Sequence, residues 1–200
     1  TLFPYTTLFR SALRLAGAGR QVTVVDESGP TVLTMPDLIA DAFAAVGEDY
    51  RDWLDLIPID PLYRAYYPDG SQLDVHADVD AMAEEIARVI SPAEAAGYRR
   101  YVDFVSQLYR YEMRDFIDTN IDTPLDLVRS NLAKLVAIGG FRRLTPKVRQ
   151  YLNDPRTERL FSFQAMYAGL SPQDALAIYA VIAYMDSVAG VYFPRGGIHA

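Results

Sequence analysis

The chain is 200 residues long and acidic, with 19 lysines and arginines against 26 aspartates and glutamates, for a net charge of -7. That balance argues against a nucleic-acid-binding module, which carries a basic stripe; with no cysteine and only His76 and His199, disulfides, thiol chemistry and a metal centre are not expected either. Half of the residues are hydrophobic, ample for a packed core in one domain or parts of two, yet charges break every long apolar stretch, as Asp186 breaks Ala175 to Phe193, so no membrane span or secretory signal is expected and cytoplasmic residence is the default.

Thr1 to Arg10 has neither helical nor strand periodicity. It resembles a translated sequencing adaptor, and residues 1–10 are expected to be a non-native leader. Ser11 to Gly19 reads as the end of a helix closing on Gly17 and Gly19. Gln21 to Val25 is a β-branched run that reads as a buried strand, ending in Asp26 and Glu27. Helix, glycine turn, strand and terminal acid form the second half of a Rossmann mononucleotide unit, in which the acid accepts hydrogen bonds from a ribose hydroxyl. A structural strand ending in a solvated acid has the same pattern.

The following stretch is mostly helical. Five predicted starts pair a capping residue with proline: Ser91-Pro92, Thr123-Pro124, Thr145-Pro146, Asp154-Pro155 and Ser171-Pro172. The side-chain oxygen takes an orphan N–H, and proline at the first helical position has none to lose. Ser91 and Glu94 fit a capping box. Apolar spacing predicts helical faces over Leu38 to Val46, Val79 to Ile90, Tyr98 to near Asp115, Leu125 to Val136, Phe161 to Ala168, and Leu176 to Tyr184. Leu62 to His76 is the exception. There Asp69-Gly70 separates two alternating runs, predicting a β-hairpin over 62–76 whose tyrosines suit a sheet facing apolar matter. Val191 to Gly197 reads as a short strand entering a glycine turn.

Three stretches carry a resemblance. Gly29-Pro30-Thr31-Val32-Leu33-Thr34-Met35-Pro36 resembles the segment after the FAD-binding half in bacterial phytoene desaturases. Val191-Tyr192-Phe193-Pro194-Arg195-Gly196-Gly197 resembles the strand and turn that lead back to their flavin domain, and Phe161-Ser162-Phe163 with Ala177-Ile178-Tyr179 fits as well. The resemblance runs from Ser11 to Ala200. It implies an FAD-dependent carotenoid desaturase of the amine-oxidase-like flavoprotein superfamily. Such an enzyme removes hydride equivalents from phytoene or a related polyene and attaches peripherally to the membrane that stores it. The implied fold is α/β, and α+β within this stretch. It comprises a remnant of a Rossmann-type FAD-binding unit over 11–35, a mostly helical substrate region over 36–190, and a returning strand and turn over 191–200. The fingerprint G-x-G-x-x-G ahead of Ser11 and the Gly-Gly-Arg motif between Asp26 and Gly29 are missing. The expectation is therefore an internal or N-terminal fragment that does not hold FAD by itself. A related carotenoid isomerase, or a non-catalytic helical module for lipid or a partner, is the alternative. Oligomeric state is not legible.

Under that resemblance Asp26 matches the ribose-binding acid, and Gly196 and Gly197 let the backbone approach the flavin or the substrate; a plain turn is the structural alternative. Asp126 and Arg129 match the D-x-x-R spacing of the family's proposed acid/base pair. A carboxylate in an apolar cavity can take the proton that a carbocation-like polyene sheds. The same two residues also make an acid favoured by the helix dipole and its i+3 partner. Tyr63, Tyr66, Tyr67 and Tyr179 are candidates for a hydrocarbon channel, as are Tyr98, Tyr109, Tyr167 and Tyr184, against ordinary core packing. Arg142, Arg143, Lys147 and Arg149, interleaved with Phe141, Leu144 and Val148, make a basic amphipathic segment suited to anionic headgroups or to a solvated helix face.

Overall fold

In the computed structural model, which describes residues 17–19, 33–113 and 131–197, the chain divides into two units. One comprises residues 1–59 and 189–200, the other residues 60–188. In the first, Pro36 opens α1 (Pro36–Ala44), whose predicted apolar face buries Leu38, Ile39 and Ala42. Met35, just before it, is buried in a left-handed conformation, φ 56° and ψ 59°, which costs a non-glycine residue about 1 kcal/mol. β1 (Leu56–Pro58) pairs antiparallel with β4 (Tyr192–Pro194), Ile57 opposite Phe193, and Leu33 forms a bridge to Tyr192. β4 realises the predicted last strand. β1 lies outside the predicted elements, because three residues ending in proline carry too little alternation to read.

In the second unit the predicted hairpin forms as β2 (Tyr63–Tyr66) and β3 (Gln72–Val75), with Tyr63 opposite Val75 and Ala65 opposite Leu73. Leu73 and Val75 are fully buried, while Arg64 and Asp74 pair across the other face at 2.5 and 2.8 Å. Asp78 caps α2 (Val79–Val89) through the Ala81 N–H at 2.8 Å. Ser91 caps α3 (Pro92–Glu112) through the Glu94 N–H at 3.1 Å. The predicted capping box is only half made. The Glu94 carboxylate turns away from Ser91 and accepts from the Asn153 and Asp154 N–H groups, at 3.0 and 3.1 Å, and from the Thr157 hydroxyl at 2.5 Å. It thereby ties α3 to the start of α6 (Pro155–Leu160), which Asp154 caps as predicted. Gly97 permits this approach: a Cβ there would lie 2.2 Å from the Tyr151 carbonyl oxygen.

Two predicted starts differ. α5 (Leu144–Val148) begins before Thr145, whose hydroxyl donates instead to the Pro172 carbonyl at 3.0 Å. Ser171-Pro172 opens a turn closed by Ser171 and Asp174, not a helix. Thr123-Pro124 lies outside the described residues. α4 (Leu132–Ala137) ends near Gly139 and Gly140 as predicted. Phe163–Ala168 and Ala177–Ala180 wind as tighter 3-10 turns, the second running into α7 (Val181–Ser187). α7 packs on α3, near a core in which Tyr98 and Tyr101 lie 5.2 and 5.5 Å from Phe161, ring centre to ring centre. The described fold is mixed: helices with two small antiparallel sheets. The Rossmann-type remnant expected over 11–35 lies almost wholly outside the described residues.

Candidate functional site

Strand alternation sends Tyr63 and Ala65 to one face of the hairpin and Arg64 and Tyr66 to the other. On the first face Tyr63, Ala65 and Tyr67 join Leu160, Phe163 and Arg159 around an apolar groove of about 290 Å³. Tyr63 meets Phe163 edge to face, centroids 5.9 Å apart, and Tyr167 meets Phe163 likewise at 5.8 Å. A polar cleft of about 370 Å³, bounded by Asp69, Asp154 and Arg156, shares Tyr67 and Arg159 with the groove. The Tyr67 hydroxyl donates to the Arg156 carbonyl at 3.1 Å, and burial pushes it up to about 12. Tyr66, expected with these tyrosines, is 69% exposed on the opposite face, as period-two alternation requires. Tyr179 sits on the 177–180 turn and does not line the groove. Tyr98 is in the core, and Tyr109 stacks on Tyr184 at 4.5 Å.

A buried polar chain runs behind the groove wall. Gln164 Nε2 donates to the Leu160 carbonyl at 3.1 Å and to the Tyr63 hydroxyl at 3.4 Å. Tyr63 lies 3.2 Å from Ser187 Oγ, which donates to Asp186 Oδ1 at 2.6 Å. Ser187 has one proton and gives it to Asp186, so Tyr63 is the donor to Ser187. Desolvation pushes Asp186 up to about 7, opposed by hydrogen bonds from Ser187 and from the Gln164 amide beside it. Desolvation, with the Asp186 charge second, also raises the Tyr63 phenol far above its ordinary range. Asp186 Oδ2 and Gln164 Oε1 are buried without a hydrogen-bond partner. In the sequence Asp186 registers only as the charge that breaks Ala175 to Phe193. That interruption is itself the signal, since a carboxylate within an apolar helix is costly to bury. A second buried acid, Glu112 at the end of α3, is pushed up to about 8 by desolvation.

Asp26, Asp126 and Arg129 lie outside the described residues. Gly196 and Gly197 follow β4 at φ 88° and 102°. A Cβ on Gly197 would meet open space, so backbone conformation rather than crowding favours glycine there. An FAD pyrophosphate needs aligned N–H donors at a glycine turn entering a helix. Among the described residues Gly196-Gly197 leads into no helix, and these residues do not fit that group. Nor do they contain a cluster of three or more metal-ligating side chains, or a helix long and apolar enough to cross a membrane.

The basic segment is corrected at Lys147. Its ammonium is buried over the Phe104 and Tyr151 rings at 4.6 and 5.2 Å and donates to Gln150, so it does not face a headgroup layer. Arg149 pairs with Glu158 at 2.7 Å, and Arg143 donates to the Asp174 carbonyl. Arg142 and Arg143 remain exposed beside Phe141, itself 43% exposed.

No family model matches the chain. Among curated proteins, a phytoene dehydrogenase of Streptomyces griseus is 53% identical over 95% of this chain and 41% of its own length. A zeta-carotene-forming phytoene desaturase of Myxococcus xanthus is 31% identical over 86% of this chain and 33% of its own. A neurosporene-forming phytoene desaturase of Cereibacter sphaeroides is 27% identical over 95% and 40%. The chain thus spans 33 to 41% of the length of these relatives.

Proposed function

We propose, because this chain is homologous to a segment of the phytoene dehydrogenases and desaturases, that it belongs to an FAD-dependent enzyme that desaturates phytoene or a related carotenoid. The 53% identity to the Streptomyces griseus protein across 95% of this chain carries the reading. The groove agrees with it. A polyene has no polar group to bond, so its affinity comes from apolar area and aromatic faces, which Tyr63, Leu160 and Phe163 offer. In this reading the groove forms part of the hydrocarbon path, and Asp126 and Arg129 are the acid/base pair. FAD is the hydride acceptor, and Asp26, Gly196 and Gly197 stand near it. The gene product that carries this sequence, given phytoene in lipid vesicles with FAD, is expected to form polyenes that absorb visible light. Unchanged phytoene with flavin bound overturns the reading. Asp126→Asn is expected to abolish turnover with FAD still bound, and unaltered turnover removes Asp126 from the chemistry.

The same reading places the protein at a membrane surface, where its hydrocarbon substrate dissolves. The contact we assign is Val136 and Phe141, 59% and 43% exposed, with Arg142 and Arg143. Flotation with anionic vesicles tests it: Arg142→Glu with Arg143→Glu should release the protein, and full retention overturns the assignment.

A further inference from the structure

The donors around Asp186 are all spent. Gln164 Nε2 uses its two protons on the Leu160 carbonyl and the Tyr63 hydroxyl, Tyr63 gives its proton to Ser187, and Ser187 gives its own to Asp186 Oδ1. At the two ends of this chain stand two acceptors, Asp186 Oδ2 and Gln164 Oε1, both buried and both without a partner. Leaving two buried acceptors unmet is expensive. Among the described residues, the titratable groups that feel the Asp186 charge are Tyr63 on β2, Tyr101 on α3 and Tyr167 on the 163–168 turn. All three are phenols, so none supplies a positive charge to hold a carboxylate. One proton on Oδ2 turns it from acceptor to donor and satisfies both ends, and the Gln164 amide lies beside the Asp186 carboxyl.

We propose that Asp186 is a positioning residue for the groove: as a neutral acid it donates its Oδ2 proton to Gln164 Oε1, closing a ring of hydrogen bonds that fixes Tyr63. Tyr63 belongs both to that ring and to the groove lining. Ionisation sets two lone-pair-bearing oxygens against each other. Gln164 then turns its amide and withdraws Nε2 from Tyr63, and the ring that meets Phe163 edge to face is no longer held. The effect on turnover rests on the groove being a hydrocarbon site, as proposed above; the ring of hydrogen bonds does not.

Infrared titration of the gene product that carries this sequence reads the ring directly. A protonated-carboxyl C=O band is expected on the acid side, lost as the pH rises through about 7 and missing in Asp186→Asn. The corresponding band of Glu112 survives that substitution and vanishes in Glu112→Gln. No band assignable to Asp186 overturns the proposal, because Asp186 is then a carboxylate served by a reversed Gln164 amide. Steady-state kinetics with phytoene read the consequence. The wild-type KM should rise by up to about tenfold per pH unit above the midpoint as the neutral fraction falls, with kcat changed less. Asp186→Asn, whose Nδ2–H replaces the Oδ2–H, should keep the low KM on both sides of neutrality, and Asp186→Leu should show a raised KM throughout. A wild-type KM flat with pH, or the same slope in Asp186→Asn, overturns the positioning role even if Asp186→Leu fails to fold. Absence of turnover in the wild type overturns the desaturase reading instead, and the infrared bands still decide the ring.

Discussion

Glu94 shows how one side chain is read correctly in sequence and used differently in the fold. Three residues after Ser91 it fits the far end of a capping box, and Ser91 does cap its N–H. Its carboxylate is 5% exposed and serves other donors: two backbone N–H groups that open α6 and the Thr157 hydroxyl. A charged acceptor with three buried donors contributes far more than a helix cap. Glu94→Ala is expected to destabilise the protein by about 3 kcal/mol and Glu94→Gln by about 1 kcal/mol, measured by equilibrium unfolding in urea. A loss in Glu94→Ala no larger than an exposed cap gives would mean that Asn153 and Asp154 find water instead.

At the scale of elements, the hairpin shows what sequence pattern can and cannot carry. Period-two alternation about Asp69-Gly70 was enough to place β2 and β3 and to set Tyr63 and Ala65 opposite Val75 and Leu73. The turn is held by Asp69, which accepts from the Ser71 N–H and hydroxyl at 2.9 and 2.6 Å, and by Gly70 at φ 81°. A Cβ on Gly70 would meet nothing, so Gly70→Ala isolates the backbone term. It is expected to lower stability by about 1 to 2 kcal/mol in thermal or urea unfolding with the register intact; no change would show that the turn relaxes to another type. Proline signatures were less reliable, since they report local preference only. Ser91-Pro92 and Asp154-Pro155 begin helices, whereas the hydroxyl of Thr145 is drawn to a carbonyl 27 residues away. The site was legible to the same limit. Tyr63 and Tyr67 stand out as aromatics in an alternating run, but Gln164 and Ser187 carry no pattern. Their part in the chain behind the groove exists only once β2, α7 and the 163–168 turn meet.

For the molecule as a whole, its carboxylates divide by burial. Asp74 and Asp154 are held below the usual range by hydrogen bonds from Arg64 and Arg156, and Asp69 by Ser71. Asp186 and Glu112 go the other way, pushed by burial from 3.8 up to about 7 and from 4.5 up to about 8. The folded protein therefore keeps two protons that the unfolded chain releases near pH 4. Their stabilisation is fully present below the unfolded pKa values and is lost as pH rises through the folded ones, at about 1.4 kcal/mol per pH unit for each group. The lowered aspartates oppose this only as pH falls below the unfolded value, and weakly, because their pairs face solvent. Stability should thus peak at mildly acidic pH and decline towards about pH 8 by several kcal/mol, a large share of the roughly 5 to 15 kcal/mol that holds a domain together. Urea unfolding at a series of pH values measures the slope. Asp186→Asn and Glu112→Gln should each remove about half of it, and together nearly all. A midpoint that rises from about pH 5 to about pH 8 and keeps its slope in both variants would mean that the two acids are ionised in the fold, with water or a cation reaching Asp186 Oδ2 where a proton is inferred here.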